Sequence, residues 1–129
     1  MKKIILILTL TIFAFADKVD WLDYDSAVEK AQKENKMVAV MITNPRCGFC
    51  VKMHNSTLDS DKVKDTLENF FIPVLLDTSK DKLPYHLRVR GTPTFFFLDK
   101  KEQIKDRVIG YRDTNQFLSD LSRIMMRGN

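Results

Sequence analysis

The run from Met37 to Thr43 constrains the fold more than any other part of this sequence. Its side chains are apolar almost throughout, whereas a strand with one face in solvent would alternate apolar and polar residues. Asn44-Pro45 ends the run, and two further runs of strand length follow at Phe71–Asp77 and Thr94–Leu98. Pro73 is tolerable only near the start of its strand or at a sheet edge. We therefore expect a central sheet that helices cover on both faces.

Helical spacing and capping signals predict where those helices lie. Ser26-x-x-Glu29 has the spacing of a capping box and predicts a helix over residues 25–34. The other predicted elements are helices over 48–55 and 60–69, a hairpin strand from Ile104 to Ile109, and a last helix capped by Asp113 or Thr114. Together they predict an α/β fold, in which a central mixed β-sheet is flanked by helices and ends in a C-terminal β-hairpin and a closing helix.

The first sixteen residues have the pattern of a secretory signal peptide. Lys2-Lys3 gives a positive start, an apolar stretch runs from Ile4 to Ala16, and Ala14-Phe15-Ala16 supplies small residues at a cleavage site. A membrane anchor, which needs about 20 apolar residues, is the alternative. We expect cleavage after Ala16 and one domain over 17–129. The short basic start resembles bacterial signals, so we expect a periplasmic location, where conditions are oxidising.

Charge and cysteine content exclude several classes of protein. Lys2 and Lys3 lie in the predicted signal peptide while all 17 acidic residues follow it, so residues 17–129 carry a net charge of only +2. A balance this even does not favour nucleic acid or anionic lipid as the partner. Two cysteines are too few for a disulfide-rich scaffold or for an all-cysteine zinc site. These counts leave a small globular domain with one cysteine pair.

Cys47-Gly48-Phe49-Cys50 lies between a buried strand and the start of a helix. Unpaired N–H groups and the positive end of the helix dipole favour the thiolate there, and the thiolate is the form that attacks disulfides. Arg46 adds a positive charge, which we expect to lower the pKa of Cys47. Cys47 is therefore the predicted nucleophile and Cys50, one helical turn later, the predicted resolving thiol. Gly48 would let a partner's backbone approach, and Phe49 would offer it an apolar contact.

Two other uses of the cysteines stay open. A structural disulfide would close so short a loop that it would restrain the unfolded chain little. A zinc site would recruit His54 and His86, although His54 can simply share the helix face of Cys50, four residues earlier. We expect no metal and no bound cofactor, because the electrons of thiol–disulfide exchange reside in the cysteine pair itself.

The motif and its surroundings resemble the thioredoxin superfamily. The likeness rests on Cys47–Cys50 after an apolar strand, on Gly91-Thr92-Pro93 before Thr94–Leu98, and on the hairpin, Gly110 and the closing helix. It covers nearly all of residues 17–129, and is greatest to secreted bacterial thioredoxin-like proteins and to the thioredoxin-like domain of the envelope disulfide reductase. The resemblance implies that the Thr92–Pro93 bond is cis and faces the cysteines. The backbone of Thr92 would then hydrogen-bond a substrate strand.

The sequence departs from the superfamily at two positions near the cysteines. The tryptophan often found before the first cysteine is Arg46, and the buried carboxylate often found six residues before that cysteine is Met41. The lysine often paired with that carboxylate would fall near Pro73, so both charges are lost together. The usual proton acceptor for Cys50 is then missing. Water or His54 could replace it, although we expect His54 to be an ordinary surface histidine.

The resemblance implies a thiol–disulfide oxidoreductase that acts on protein disulfides, as a reductase in the periplasm. It also implies a membrane disulfide reductase as the electron donor that recharges the protein. The alternatives are an oxidase or isomerase with the same cysteines, and a binding module that docks a partner at the Thr92-Pro93 groove while its thiols stay idle. The sequence resembles no added dimerisation domain, so we expect a monomer.

Overall fold

The computed structural model describes residues 18–128. The predicted signal peptide, residues 1–16, lies outside the described residues. The elements of the described chain are α1 (Tyr24–Glu34), β1 (Met37–Thr43), α2 (Gly48–Asn55), a 3-10 turn (Thr57–Asp59), α3 (Asp61–Phe70), β2 (Phe71–Asp77), a second 3-10 turn (Tyr85–Leu87), β3 (Thr94–Leu98), β4 (Ile104–Ile109) and α4 (Thr114–Arg127). None of the helices within residues 18–128 has both the length and the apolar composition that crossing a membrane requires.

The four strands form one mixed sheet in the order β2-β1-β3-β4. β1 pairs in parallel with β2, from Met37 opposite Phe71 to Thr43 opposite Asp77, and it pairs antiparallel with β3. β3 and β4 form the predicted antiparallel hairpin. Because β1 is central, every residue of it after Met37 is buried, which explains its continuous apolar run. Pro73 lies in the edge strand β2, as its missing N–H requires. The predicted α/β fold with a mixed sheet is confirmed.

Successive side chains of β1 point to opposite faces of the sheet and build two apolar cores. Met41 lies in the core that α2, α3 and α4 cover, while Val40 lies in the core that α1 covers through Ala27 and Ala31. The first of these cores contains four phenylalanine rings in contact, with centroids between 4.8 and 6.1 Å apart: Phe71, Phe95, Phe97 and Phe117. Helices therefore cover both faces, and the sheet ends are left open for loops.

The start of α1 differs from the prediction. Asp23 and not Ser26 is the N-cap, since the Asp23 carboxylate accepts a hydrogen bond from the Ser26 backbone N–H at 3.0 Å. Ser26 has the right spacing to Glu29, but a capping aspartate one turn earlier satisfies the first N–H groups and extends the helix. A complete capping box occurs at α4, where Asp113 and Gln116 exchange backbone-to-side-chain bonds of 2.8 and 3.1 Å.

Candidate functional site

Cys47 is positioned by a tight turn between β1 and α2. The side-chain oxygen of Asn44 accepts a hydrogen bond from the Arg46 N–H at 2.8 Å, and the backbone carbonyl of Asn44 accepts one from the Cys47 N–H at 3.1 Å. Pro45 has no N–H and cannot continue the strand ladder, so the chain turns there. Cys47 is thereby placed at the N-cap of α2, where its side chain meets the first free N–H groups of the helix.

The two cysteines are free thiols with very different exposure. The sulfur of Cys47 accepts a hydrogen bond from the Cys50 N–H at 3.1 Å and donates one, as a thiol, to the Thr92 carbonyl at 3.3 Å. Cys47 is half-buried, whereas Cys50 is only 1% exposed. A large reagent can therefore reach Cys47 and cannot reach Cys50.

Hydrogen bonds at the helix start make the Cys47 thiolate more stable than a free cysteine thiolate. Partial burial alone would raise the pKa of Cys47, but the side chains of Cys50 and Thr92 and the N–H groups of Cys50 and Phe49 outweigh burial and lower this pKa. Arg46 is exposed, and it is not among the groups that lower the pKa. Its predicted effect on the pKa of Cys47 stays a prediction.

The loop before β3 lies against Cys47. The Thr92–Pro93 peptide bond is cis, Pro93 is buried, and the Pro93 carbonyl accepts a hydrogen bond from the Gly110 N–H at 2.8 Å. Gly110 has a φ of +85°, which few other residues adopt, so a glycine suits this turn beside the loop. The Thr94 hydroxyl donates to the Gly91 carbonyl at 3.0 Å and closes the loop from the other side. The structure thus places the Thr92 carbonyl beside the Cys47 sulfur, and the Thr92–Pro93 bond is cis as the resemblance implied.

An aromatic pair forms part of the rim of the site. Phe49 is 62% exposed, and its ring lies 6.2 Å from the ring of Tyr111, above which the Lys52 ammonium sits at 4.6 Å. A side chain at Gly48 would extend into open space, so this side of the site is unobstructed. Sequence reasoning missed Tyr111 and Lys52. The available signal for Tyr111 was its position directly after Gly110, at the end of the hairpin.

The two histidines do not join the cysteines in a metal site. Within residues 18–128 no three histidine, cysteine or acidic side chains are placed to hold a metal ion. His86 lies 3.5 Å from the hydroxyl of Tyr24 in α1, and His54 lies 3.4 Å from the Thr43 hydroxyl. His54 is half-buried rather than a surface residue, and this burial, together with the positive charge of Lys18, lowers its pKa. Its imidazole is therefore uncharged near neutral pH.

Comparisons with known proteins agree with this arrangement. A family model described as a thioredoxin-like domain matches residues 24–124. Thioredoxin H4-2 of Oryza sativa subsp. japonica is 28% identical over 88 residues, which are 68% of this chain and 64% of that protein, so the match spans less than two thirds of the relative's length.

Two solved structures extend the comparison to the fold. The solution structure of a thioredoxin from Thermus thermophilus has 28% identity and a TM-score of 0.77, over 88% of this chain and 92% of that one. The C-terminal domain of Neisseria meningitidis DsbD in its oxidised form has 19% identity and a TM-score of 0.62, over 77% of this chain and 90% of that one.

Proposed function

The chain belongs to the thioredoxin-like domain family, and on this premise we propose that it is a periplasmic thiol–disulfide oxidoreductase that reduces protein disulfides through Cys47 and Cys50. The observation that carries the proposal is the placement of Cys47. Its sulfur is accessible, lies at the start of α2 within 3.1 Å of the Cys50 N–H, and has a lowered pKa, while Cys50 is buried directly behind it. This asymmetry suits a pair in which one thiol attacks and the other resolves.

The reaction has two exchange steps. The Cys47 thiolate attacks one sulfur of a substrate disulfide, forms a mixed disulfide with it, and expels the other substrate sulfur as a thiolate. The Cys50 thiolate then attacks the Cys47 sulfur, which releases the substrate as a dithiol and leaves a Cys47–Cys50 disulfide. Two electrons pass from the cysteine pair to the substrate, and the protons of the two protein thiols end on the two substrate thiols. No bound cofactor or metal takes part.

The groups around Cys47 are suited to hold an extended substrate segment. The Thr92 backbone beside Cys47 would pair with the substrate strand, and Pro93, next in the chain, would contact it. Gly48 leaves room for the segment, and the exposed Phe49 supplies an apolar contact. Arg46 is assigned the role of favouring negative charge at Cys47. The roles of Phe49 and Arg46 predict a loss of substrate affinity or rate when either side chain is replaced.

Two parts of the proposal, that the protein reduces its substrates and that it lies in the periplasm, rest on the predicted signal peptide and on the family resemblance. The basic and apolar start of the sequence supports export to the periplasm, where a reductase must be recharged after each turnover. A membrane disulfide reductase is the proposed electron donor, because a reductase in an oxidising compartment needs electrons supplied from across the membrane. The protein is proposed to act as a monomer.

A disulfide-reduction assay tests the activity. The protein expressed from its full sequence should catalyse reduction of insulin disulfides by dithiothreitol, Cys47→Ser should abolish catalysis, and Cys50→Ala should accumulate a mixed disulfide with the substrate. Full activity in Cys47→Ser would contradict the assignment of Cys47 as the nucleophile, whereas no catalysis by the wild-type protein would contradict the proposal and favour a binding module with idle thiols.

The reduction potential of the pair tests the direction. A value near that of thioredoxin, about −270 mV, supports a reductase, whereas a value near about −120 mV would identify an oxidase. The measurement needs only equilibration of the protein with a glutathione redox buffer and quantification of the two thiols.

A further inference from the structure

The surface around Cys47 is basic, although residues 17–129 are nearly neutral overall. Three segments meet there: residues 44–56 carry Cys47, residues 84–93 end in the loop that contacts it, and residues 109–112 carry Tyr111, which touches Phe49. Together they contain no aspartate or glutamate and five basic residues, namely Arg46, Lys52, Arg88, Arg90 and Arg112. The positive charge of the domain is therefore concentrated at the proposed active site.

Four of these five cations are available to a partner. Arg46, Lys52, Arg88 and Arg90 are exposed, and none of them is in an ion pair with another residue of the 18–128 range. Arg112 differs, because it is bound to Asp120 at 3.0 Å. We call these four side chains the basic rim.

Two members of the basic rim are held by aromatic rings rather than by carboxylates. Lys52 lies 4.6 Å above the ring of Tyr111, and Arg88 lies 4.7 Å above the ring of Tyr85, which is 81% exposed. A ring orients a cation without neutralising it. Both charges are therefore fixed on the surface and remain unpaired for an incoming anion.

The basic rim is close to the reacting sulfur. Arg46 directly precedes Cys47, and Arg90 is two residues from Thr92, so its Cα lies within about 7 Å of the Cα of Thr92. The Thr92 carbonyl is 3.3 Å from the Cys47 sulfur. A substrate segment that places its sulfur on Cys47 and extends a few residues to either side, at about 3.3 Å per residue, therefore passes Arg46 and Arg90. Charges on that segment that come within about 8 Å of these cations are little screened at physiological salt.

The loop at the end of β2 does not cancel the positive charge of the basic rim. Residues 77–82 approach the site through the bond from the Asn44 amide to the Thr78 hydroxyl at 2.7 Å, and they contain two aspartates and two lysines. The Asp77 carboxylate accepts hydrogen bonds from the N–H and hydroxyl of Ser79, and Asp81 accepts one from the Asp77 N–H. This loop is neutral in sum, and its carboxylates are occupied within the loop.

We propose that the protein's redox partner carries acidic side chains within a few residues of the disulfide that it presents to Cys47. This inference rests on the proposed function, because exchange with Cys47 requires a polypeptide that carries a disulfide. The acidic residues would contact the basic rim while Phe49 and Tyr111 contact the apolar part of the same segment. Opposite charges accelerate the encounter of two proteins more than they raise its final affinity, so the preference is expressed in the rate of attack.

Three peptides with one disulfide-bonded core test the proposal. Their flanks consist of two aspartates, two serines or two lysines on each side, and the measured quantity is the rate at which the pre-reduced protein reduces each peptide in a single turnover. Each rate is divided by the rate with dithiothreitol, which cancels intrinsic differences between the three disulfides. At low salt the aspartate peptide should be reduced about 10-fold faster than the lysine peptide, and this ratio should shrink above about 0.3 M salt.

A pair of charge-reversed variants locates the preference. Arg88→Glu with Arg90→Glu should abolish or reverse the ratio between the peptides. Lys30→Glu with Lys36→Glu changes the net charge equally, but in α1 and just before β1, where Lys36 lies about 23 Å along the strand from Thr43. This control variant should keep the wild-type ratio. Because the ratio between peptides is compared, a reduced amount of active protein does not affect the result.

The outcomes separate this inference from the proposed function. Reduction of all three peptides at equal normalised rates would overturn the inference and leave the oxidoreductase proposal standing. A preference for the aspartate peptide that survives in the Arg88→Glu, Arg90→Glu variant would also overturn it, since the basic rim would not be its source. Failure to reduce any peptide would overturn the proposed function and the inference with it.

Discussion

Among the groups that lower the pKa of Cys47, the side chain of Cys50 has the largest effect. Replacing it tests why Cys47 is nucleophilic. Cys50→Ala removes the thiol that stabilises the Cys47 thiolate but keeps the backbone N–H at 3.1 Å. Cys50→Ser is the matched control, because a serine hydroxyl can still donate to the thiolate. Both variants contain a single cysteine, so any chemistry with a disulfide reports on Cys47 alone.

Replacing Cys50 by alanine changes the rate at which Cys47 attacks a disulfide in two opposing ways, through the thiolate population and through the reactivity of each thiolate. A hydrogen bond to a charged group contributes about 1.5–3 kcal/mol, and we take the lower end because water reaches the half-buried Cys47. Loss of that bond raises the pKa of Cys47 and reduces its thiolate population at acidic pH about 10-fold. A more basic thiolate is also a better nucleophile. With a Brønsted coefficient of about 0.4–0.5, the higher pKa makes each thiolate about 3-fold more reactive, which offsets part of the roughly 10-fold fall in thiolate population.

The two variants should therefore have rate profiles that cross. At acidic pH the Cys50→Ala variant should react about 3-fold more slowly than Cys50→Ser, and at alkaline pH, where both are ionised, about 3-fold faster. The measurement is the rate of mixed-disulfide formation with hydroxyethyl disulfide from roughly pH 4 to 10, followed by mass spectrometry. Each variant unfolded in urea gives a reference in which the two profiles should coincide. Profiles of the folded variants that coincide or never cross would refute the assigned role of the Cys50 side chain.

Three further predictions concern stability. Asp113→Ala should lower the free energy of unfolding in urea by about 1 kcal/mol, because the capping box of α4 is lost, whereas Ser60→Ala, at a cap without a side-chain bond, should change it little. Phe97→Ala should cost about 3–5 kcal/mol by leaving a cavity in the core, and the exposed Tyr85→Ala should be close to neutral. Burial and a neighbouring lysine lower the pKa of His54 in the folded protein, so His54 is protonated more readily in the unfolded chain than in the folded one. The free energy of unfolding should then fall as the pH drops below about 6.5, and His54→Gln should flatten that fall.

The strands were predictable to the residue because burial leaves a direct record in sequence. A strand covered on both faces is apolar along its length, so a polar residue marks where it ends: Thr43 in β1, Asp77 in β2 and Asp99 after β3. The start of α1 was predicted wrongly because two residues near it, Asp23 and Ser26, can both cap, and local sequence does not rank them.

The rim of the site could not be predicted in the same way. The contact of Phe49 with Tyr111 joins residues about 60 positions apart and depends on how the hairpin places its last residue beside α2. Sequence spacing predicts contacts within a helix or between paired strands, but it contains no such rule for loops from different elements. The four cations of the basic rim are likewise scattered along the chain, and only the fold shows that the segments that carry them meet, at Cys47 and Thr92.

Met41 has a consequence for how the cysteines ionise. Its side chain is fully buried between Leu75 of β2 and Phe95 of β3, and among residues 18–128 the only buried charged residue is Lys64 in α3. A buried carboxylate near the cysteine pair would titrate together with them, and the observed pH dependence would then belong to the coupled group rather than to one sulfur. With an uncharged thioether at this position, the single-cysteine variants should each follow one ionisation. Met41→Asp would place a carboxylate among the apolar side chains of this core, so it should destabilise the fold and split the rate profile of Cys47 into two steps.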